Sequence, residues 1–422
     1  MNNDSSRGNS SGKVRFLILS ILFITLMVAY LDRVNVSILI ADPGFISDMH
    51  LKEQTTRQGM LMTLFLMAYA IGNIVLGYFG DRLGPRKAVS LSIVLWSVAL
   101  FLGGMARNLM TLISTRIFMG LGEGFHWPMQ SAYVKNWFPV NERARANSAW
   151  TVGLMVGPAI AMPLMSTIIS KWGWQSSFFL LACTAVVLPL PLIWFFTADR
   201  PNQHRMISPE EIKYIESGQE NEKAVQTNQS GSYRELLASG KFWLVTVGYM
   251  ATASIWWGMM TWLPQYLRVA RHFSWAQMGM FSSLPYILGT VSVIGIAYLS
   301  DKIGRRGIFY TLGLLFSVIF IYLGAKTSSN IGSAIYISIC IFFLGWVMPV
   351  AWTLLQSIVA PHLVGAAAGL MNGVANMFAA FAPMIIGYLI GTTGNYVSGL
   401  MYLIVIGLIG SICTSYFAFR GQ

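Results

Sequence analysis

Charged side chains are scarce in this 422-residue sequence: only 10% of its residues are Asp, Glu, Lys or Arg, whereas soluble domains usually carry about 25%. Hydrophobic residues make up 55% of the chain, and the mean hydropathy is +0.59. A soluble core cannot absorb so much apolar surface, but a lipid bilayer can, because it is itself an apolar solvent. The composition therefore disfavours a soluble enzyme and predicts an all-α membrane protein.

Cysteine is almost absent too, since Cys183, Cys340 and Cys413 are widely spaced within apolar runs. This spacing indicates neither a disulfide framework nor a metal site, and it predicts three buried small apolar side chains. The sequence also lacks a nucleotide-binding loop of the Walker type, a nucleophile triad and metal-ligand spacing. We therefore expect no enzymatic activity, no ATP-driven step and no cofactor.

Apolar runs of membrane-spanning length are abundant. A helix needs about 20 apolar residues to cross about 30 Å of hydrocarbon, and twelve stretches reach or approach that length. The first follows a polar, basic N-terminus without a small-residue cleavage site, so we interpret it as an uncleaved membrane helix. The predicted spans are 16–40, 59–80, 87–106, 109–133, 146–169, 177–197, 242–267, 278–299, 307–325, 333–357, 366–390 and 397–419.

One long polar segment, 198–241, divides the twelve spans into six and six. We expect an N-terminal six-helix bundle in 1–197, a cytoplasmic linker in 198–241 and a C-terminal six-helix bundle in 242–422. Within the linker, Ser208-Pro209-Glu210-Glu211 resembles a capping box and predicts a short amphipathic surface helix through Ile215.

A short motif recurs in the two halves. Residues 77–87 follow the second span, residues 297–306 follow the eighth, and the offset between them is 220 residues. Both copies place an acidic residue, basic residues and a glycine in a turn between two spans. Two six-helix halves related as parallel repeats are a transporter architecture.

Basic residues are distributed unevenly across the predicted membrane. Nineteen of the 28 lysines and arginines fall on the side that carries the N-terminus, seven fall on the other side, and two lie within spans. This distribution follows the positive-inside rule, so we expect both termini in the cytoplasm and a multi-pass protein of the cell (cytoplasmic) membrane. The same distribution explains the net charge of +12. It indicates a lipid bilayer as the partner, and no nucleic acid is expected.

Four ionisable residues lie inside predicted spans, where each charge costs at least about 2.5 kcal/mol unless it faces a cavity or a partner. Asp32 and Arg33 are in the first span, and Arg116 and Glu123 are in the fourth. A rise of 1.5 Å per residue places Asp32 about 24 Å and Arg116 about 20 Å above the cytoplasmic edge, which predicts that they pair. Glu123 and His126 should share the helix face of Arg116.

Several other polar or aromatic residues could reach a solute between the two halves. Amides and phenols can hydrogen-bond the hydroxyl groups of a polyol anion, although helix–helix hydrogen bonding and packing are the alternatives for each. Tryptophans in membrane proteins also often lie at the lipid interface. The candidates for substrate contact are Tyr30, Tyr69, Asn73, Asn372, Asn376 and Trp352, with Trp262 as a weaker one.

The repeated turn, Gly-x3-Asp81-Arg82-x-Gly-x-Arg86-Lys, resembles the cytoplasmic signature of the major facilitator superfamily. A narrower resemblance, to the anion:cation symporter family, depends on four segments. They are Tyr30-Leu-Asp32-Arg33-Val-Asn35; Arg116-x6-Glu123-Gly-x3-Pro128 with Trp137-Phe-Pro139-x2-Glu142-Arg143; Thr261-Trp262-Leu-Pro264-Gln-Tyr266-Leu; and Asn372-x3-Asn376-x6-Pro383-x3-Gly387. The resemblance implies the major facilitator fold, with two pseudo-symmetric six-helix bundles.

The family resemblance also implies roles for the charged residues. The matching acidic residues, Asp32 and Glu123, would carry protons, and the matching arginines, Arg33 and Arg116, would contact the substrate through planar guanidinium groups that suit a carboxylate. The alternative is a purely structural ion network. The signature implies a cytoplasmic gate that holds the outward-open state, with the Asp81 carboxylate near a helix N-terminus. Its residues would be Asp81, Arg82, Arg86, Asp301 and Arg305.

These observations lead to a functional hypothesis: a monomeric, proton-coupled symporter that takes up an organic carboxylate, preferably a sugar acid such as a hexuronate, aldonate or aldarate. One alternative is a proton-driven exporter or exchanger, because Gly153-x3-Gly157-Pro158 partly resembles a motif of drug/proton antiporters. A non-sugar anion such as an aromatic carboxylate is a second alternative. A membrane sensor that binds a ligand without transport is a third.

Overall fold

The computed structural model describes residues 14–225, 233–303, 305–360 and 363–420, and these residues form helices without strands. The N-terminal half contains α1 (Val14–Leu39), α2 (Pro43–Asp48), α3 (Thr55–Leu83), α4 (Pro85–Gly104), α5 (Leu109–Gly124), α6 (His126–Trp137), α7 (Val140–Thr151), α8 (Gly153–Trp172), α9 (Trp174–Val187) and α10 (Pro189–Phe196). The linker contains a 3₁₀ turn (Pro201–Gln203), α11 (Pro209–Val225) and α12 (Tyr233–Ala238). The C-terminal half contains α13 (Gly240–Gln265), a π turn (Tyr266–Ala270), α14 (Trp275–Ile303), α15 (Arg306–Lys326), α16 (Asn330–Ile358), α17 (Val364–Ala379), α18 (Ala382–Thr393) and α19 (Tyr396–Phe419).

Twelve helical stretches of the described chain correspond to the twelve predicted spans, which confirms the all-α membrane fold. Four predicted spans are each broken into two helices: α5–α6, α7–α8, α9–α10 and α17–α18. Pro189 at the first position of α10 explains one break, because proline has no N–H for the preceding turn. The break between α5 and α6 follows Gly124 and leaves Phe125 between the two helices.

Ten of the described helical stretches are long and apolar enough, by length and composition, to cross a membrane. The fourth span, α5–α6, and the seventh, α13, are not among them. Both carry more polar side chains, and every residue of α13 from Ala251 to Gln265 is buried. α13 therefore faces protein along this stretch, whereas α5 also exposes apolar side chains such as Met110.

Close helix contact in the N-terminal half depends on small residues. A Cβ atom at Gly153 would lie 2.9 Å from the carbonyl oxygen of Phe23, and one at Gly157 would lie 2.7 Å from that of Met27. The Gly153-x3-Gly157 step thus packs α8 directly against α1, as small-x3-small motifs do in membranes. This packing accounts for the motif without an antiporter function.

The two halves meet tightly at the end of the molecule where α1 ends and α3 begins. Thr55 donates a hydrogen bond of 2.6 Å to the carbonyl oxygen of Gly387, and Gln265 donates one of 2.9 Å to the Gln58 side chain. The Trp275 indole on α14 donates to the carbonyl oxygen of Ser166 on α8. We call these contacts, between α3 and α18 and between α8 and α14, the seal.

The linker helix α11 lies at the opposite end and docks on the N-terminal half. Arg15 forms ion pairs with Glu142 at 3.3 Å and with Glu211 at 3.5 Å. Tyr214 donates a 2.8 Å hydrogen bond to Glu142, and this bond to a carboxylate raises the pKa of the Tyr214 phenol. α11 begins where the sequence predicts a linker helix and extends ten residues past Ile215.

The predicted capping box forms only in part. The Ser208 hydroxyl accepts a 3.2 Å hydrogen bond from the Glu211 backbone N–H, as a capping residue should. The Glu211 carboxylate does not complete the box, because it accepts from Arg15 instead. Burial of this acidic residue against an arginine of α1 ties the linker helix to the first span.

The cysteine prediction is partly wrong. All three cysteines are free, and Cys340 is buried as expected. Cys183 is exposed on α9, and Cys413 is intermediate. An apolar run of spanning length has one face toward protein and another toward lipid, so the run alone does not establish burial inside the protein.

Candidate functional site

A buried ion pair joins α1 to α5 in the N-terminal half. Arg33 donates from Nε and Nη2 to the same oxygen of Glu123, Oε2, at 2.9 and 2.8 Å. Arg33 is 2% exposed and Glu123 is fully buried. The second carboxylate oxygen, Oε1, has no hydrogen-bond partner among the described residues. The pair is therefore charge-matched but leaves one oxygen unsatisfied.

Two glycines of α5 bring α3 close to this pair. A Cβ atom at Gly120 would lie 2.9 Å from that of Ala68, and one at Gly124 would lie 2.7 Å from the Cα of Gly72. The resulting contact between α3 and α5 is among the most extensive in the structure. It places the aromatic side chains of α3 beside Arg33.

Aromatic rings surround the Arg33 guanidinium. Its central carbon lies 4.6 Å from the ring centroids of both Tyr30 and Tyr69, and 5.7 Å from that of Phe65. Cation–π contacts at these distances hold a guanidinium in place while leaving it charged. Tyr30 and Tyr69, predicted as substrate contacts, thus lie beside Arg33, together with Phe65, which the sequence analysis did not name.

The predicted pairing of Asp32 with Arg116 is wrong. Asp32 is fully buried, and neither carboxylate oxygen has a hydrogen-bond partner among the described residues. Arg116 donates to the Met119 sulfur at 3.4 Å, and its guanidinium lies 5.4 Å from the Phe178 ring centroid. Arg116 and Arg33 both act electrostatically on Asp32, and neither forms an ion pair with it. The two residues were predicted to lie at a similar depth in the membrane, but depth does not give the direction in which a side chain points.

Arg116 faces the inside of the N-terminal bundle. It is 2% exposed and contacts α9 through Phe178, while its Nε and Nη2 atoms have no partner among the described residues. Arg33 instead lies beside α3, among tyrosines that are near the C-terminal half. Direct substrate contact by Arg116 stays a prediction, and the geometry favours Arg33 for that role.

His126 occupies a different position from the one predicted. The helix breaks at Phe125, so the face shared by Arg116 and Glu123 does not continue into α6. The His126 ring packs edge-on against Trp96 with centroids 5.1 Å apart, and it forms no hydrogen bond with Glu123. This arrangement agrees with the packing alternative.

In the C-terminal half, two predicted residues form a hydrogen-bonded pair. Asn376 donates to the side-chain oxygen and to the backbone oxygen of Asn372, both at 2.9 Å. Its own side-chain oxygen accepts from the Trp257 indole N–H at 3.2 Å. The sequence analysis missed Trp257, and residue type alone gave no signal that could have found it.

Helix α13 links the two groups of residues. Trp352 packs edge-on against Tyr249 of α13 with centroids 5.5 Å apart, and both are half-buried. α13 contacts α1 directly, which brings Tyr249 close to Tyr30. α13 therefore lies next to both groups, with Tyr249 near Tyr30 and Trp257 bonded to Asn376.

Two further candidates lie outside this cluster. Asn73 is one turn beyond Tyr69 on α3, half-buried, and its side chain has no hydrogen bond to a described residue. Trp262 donates a 2.9 Å hydrogen bond to the carbonyl oxygen of Pro383, next to the seal. Trp262 thus belongs to the closed end of the molecule.

The predicted gate residues are only partly described. The side chains of Asp81 and Asp301 lie outside the described part of the structure, and Arg82 and Arg305 are exposed. Arg86 packs over the Trp194 ring at 5.0 Å, donates to the Trp194 carbonyl oxygen, and donates its backbone N–H to Asp199 at 2.7 Å. These contacts of Arg86 lie within the N-terminal half, so a gating role stays a prediction.

We expect Asp199→Ala to destabilise the N-terminal half by about 1 kcal/mol, because it removes the acceptor for a backbone N–H in the first turn of α4. Thermal unfolding of the purified protein measures the effect. Asp199→Asn retains a side-chain oxygen and serves as the matched variant, with a smaller expected loss. Equal unfolding temperatures for wild type and Asp199→Ala would contradict the capping role.

Comparisons with known proteins agree with this architecture. The model of the Major Facilitator Superfamily matches residues 22–383. The chain has the fold of two solved transporters: a bacterial homologue of the human lysosomal transporter Spinster in an inward-facing, unoccupied conformation (TM-score 0.75, 16% identity, 97% of both chains) and a D-xylose-proton symporter (TM-score 0.76, 15% identity, 96% of this chain and 99% of that one).

Several sequence relatives are named as transporters of organic anions. A probable sulfoacetate transporter of Cupriavidus necator is 32% identical over 91% of this chain and 89% of the relative. A D-galactonate transporter of Escherichia coli is 27% identical over 95% of both chains. A probable galactarate/D-glucarate transporter of Escherichia coli is 27% identical over 94% of this chain and 91% of the relative.

This chain belongs to the Major Facilitator Superfamily. It is a multi-pass membrane transporter and not an enzyme, and its relatives support the narrower resemblance to the anion:cation symporters.

Proposed function

We propose that this protein is a proton-coupled symporter that takes up a sugar acid by alternating access. The observation that carries the proposal is the buried pair of Arg33 and Glu123. A permanent cation is held between tyrosines at the interface of the halves, and its only ion-pair partner among the described residues is a carboxylate. Such a pair can exchange one carboxylate for another.

The exchange links proton binding to substrate binding. While Glu123 is ionised, its Oε2 atom occupies two N–H groups of Arg33. Protonation of Glu123 removes the negative charge that competes for the guanidinium and repels an anion. The planar donors of Arg33 are then free to bind a substrate carboxylate in two-point geometry. Asp32, buried beside the charge of Arg116, is the second candidate for a coupled proton.

Charge distribution supports an orientation for this cycle. The linker end carries most of the basic residues, so the positive-inside rule assigns it to the cytoplasm. The seal then closes the extracellular side of the cell membrane, and the structure corresponds to an inward-facing state. The similar structure of the Spinster homologue is also described as inward-facing.

Polar groups near Arg33 support a polyol anion as substrate. Tyr30 and Tyr69 offer hydroxyl groups around the cation, and phenol groups can hydrogen-bond substrate hydroxyls. Relatives named for galactonate and for galactarate or glucarate support the same class.

Uptake into liposomes with an imposed pH gradient tests the proposal. We expect labelled D-galactonate, a hexuronate or glucarate to accumulate when the outside is acidic, and a protonophore to collapse the accumulation. A symporter that carries one proton with each singly charged anion moves no net charge. It can therefore accumulate its substrate at most about tenfold for each pH unit of the gradient. Sugar-acid flux that ignores the pH gradient, or extrusion without uptake, would contradict the proposal.

A sulfonated acid is the second candidate, because the relative with 32% identity is named as a probable sulfoacetate transporter. A guanidinium fork binds oxyanions of carboxylates and phosphates, and a sulfonate offers the same kind of acceptors. Including sulfoacetate and benzoate in the uptake panel separates these classes. Saturable competition by sulfoacetate, with none by sugar acids, would replace the sugar-acid assignment.

A further inference from the structure

The hydrogen bond between Trp257 and Asn376 has a fixed direction. An indole N–H can only donate, so the atom of Asn376 that lies 3.2 Å away must be its side-chain oxygen. Trp257 is 5% exposed within α13, in a stretch where every residue is buried. The indole therefore determines which way the Asn376 amide is turned.

The orientation of the Asn376 amide also determines its hydrogen bonds with Asn372. With its oxygen toward Trp257, Asn376 points its amide nitrogen at α17 and donates to both oxygens of Asn372 at 2.9 Å. The Asn372 side-chain oxygen is thereby occupied as an acceptor. Its amide nitrogen, which carries two N–H donors, has no partner among the described residues.

Open space borders the free end of Asn372. Gly369 and Gly373, which flank it on α17, have nothing within 4 Å of the position that a Cβ atom would take. Asn372 itself is half-buried. An amide within a membrane-spanning helix normally faces the protein interior or a watery cavity.

We propose that Trp257 is a positioning residue that, through Asn376, aims the two N–H donors of Asn372 into the substrate space. The C-terminal half then recognises an oxygen acceptor on the substrate, either a hydroxyl or a second carboxylate. The inference builds on the proposed function and adds a residue chain that determines which atoms of the substrate can be bound on the side opposite Arg33.

The reverse orientation is unfavourable for a specific reason. If the Asn376 amide turned over, its NH2 group would face the indole N–H, and its oxygen would face the Asn372 oxygens. Both contacts would then join like partners and leave buried polar groups unsatisfied. Removing the indole N–H abolishes the first of these conflicts and leaves only the contacts with Asn372 to hold the Asn376 amide in this direction.

Trp257→Phe is the direct test, because it keeps an aromatic ring and removes the donor. We expect KM for D-galactonate to rise about fivefold, with the maximal transport rate unchanged, since the interaction contributes to binding in both orientations of the carrier. Trp256→Phe is the matched control: its indole forms no hydrogen bond with a described residue and packs on Tyr286, so KM should stay within twofold. A Trp257→Phe protein with wild-type KM overturns the proposal.

A double-mutant cycle distinguishes positioning from packing. Asn372→Ala should raise KM about tenfold, and adding Trp257→Phe to that variant should change KM less than twofold, because Trp257 acts through Asn372. Effects that multiply independently, or an Asn372→Ala protein with unchanged KM, overturn the proposal. If Trp257→Phe folds poorly, Asn376→Leu is the substitute variant. It removes the Asn376 link between Trp257 and Asn372 without altering either tryptophan, and it should raise KM to the same extent.

Substrate exchange without a gradient is the readout for these variants, so the test does not depend on proton coupling. Loss of pH-driven accumulation in the wild type would contradict the proposed function while leaving the KM cycle measurable. Conversely, an additive cycle in a protein with intact proton coupling would reject only the positioning role.

Discussion

Glu123→Gln is expected to reduce accumulation driven by a pH gradient to an inside-to-outside ratio of about one. Glutamine is neutral, as protonated glutamate is, so the variant resembles the loaded state at every pH. Arg33 remains free for the substrate, and exchange of labelled for unlabelled sugar acid should continue near the wild-type rate. The paired measurement of accumulation and exchange in the same liposomes tests this separation.

The separation follows from the geometry of the ion pair. Both N–H groups of Arg33 converge on one oxygen of Glu123, so a neutral side chain loses the charge attraction at both contacts. Breaking a buried ion pair by removing one partner normally costs about 3–5 kcal/mol. Here the anionic substrate replaces the lost partner, so we expect the empty variant to be less stable and bound substrate to stabilise it more than it stabilises wild type.

Glu53→Gln serves as the control for Glu123→Gln. Glu53 is an exposed acidic residue in the loop before α3, outside the membrane spans. Its replacement removes the same charge by the same chemical change, and we expect unaltered accumulation. Gradient-driven accumulation that survives in Glu123→Gln would assign the coupling proton elsewhere, with Asp32→Asn as the next variant to measure.

The membrane spans were predictable because a long apolar run directly indicates that lipid surrounds that part of the chain. A run of about 20 apolar residues predicts a membrane helix because lipid offers no hydrogen-bond partners to any other backbone structure. Helix breaks were not predictable in this way. Pro285 and Pro349 lie inside unbroken helices, whereas the chain breaks at Phe125, three residues before Pro128. Whether a proline breaks a helix depends on neighbours that re-satisfy the freed backbone groups.

The charged residues of the candidate site were predictable as a group but not as pairs. Intramembrane charge alone identified Asp32, Arg33, Arg116 and Glu123, and all four are buried in the N-terminal half. Consecutive residues on a helix point about 100° apart, so Asp32 and Arg33 face different neighbours. Which neighbour each meets depends on how α1 is rotated against α3 and α5, and that rotation is set by tertiary packing.

Trp257 shows a second limit of sequence analysis. Its importance lies in a hydrogen bond of known direction to a residue 119 positions away. Tryptophans in membrane spans are common at the lipid interface, so residue type gave no reason to prefer this one. Asn372 and Asn376 were selected because amides are costly in a membrane, and that physical cost is readable without a structure.

Gly59→Leu is expected to abolish transport by holding the protein open at the seal. A Cβ atom at Gly59 would overlap the backbone carbonyl group of Pro383 on the opposite half. Because the obstruction is backbone, no side chain can rotate away, and the sealed state is destabilised by roughly 1–3 kcal/mol or more. The state in which α3 and α18 separate has room for the leucine. Each 1.4 kcal/mol shifts the ratio of the two states about tenfold toward it.

Spin labels on the two halves can measure this shift. Glu53 and Lys326 are exposed at the sealed end of the N-terminal and C-terminal halves, and cysteines placed there in a background without the native cysteines accept the labels. We expect pulsed electron paramagnetic resonance to show longer distances in Gly59→Leu than in the unsubstituted protein. Uptake should be lost in the same variant, because a carrier that cannot close one side cannot complete the transport cycle.

Two other glycines make the prediction specific to the seal. Gly279 on α14 faces the side chain of Ser166, which can rotate, so Gly279→Leu should shift the distances less than Gly59→Leu does. Gly295 lies on the same helix with nothing within 4 Å of its Cβ position, and Gly295→Leu should leave distances and uptake unchanged. If all three variants behaved alike, the effect would come from leucine in a membrane helix and not from the seal. If Gly59→Leu kept its short distances and its uptake, the contact between α3 and α18 would not control access to the site.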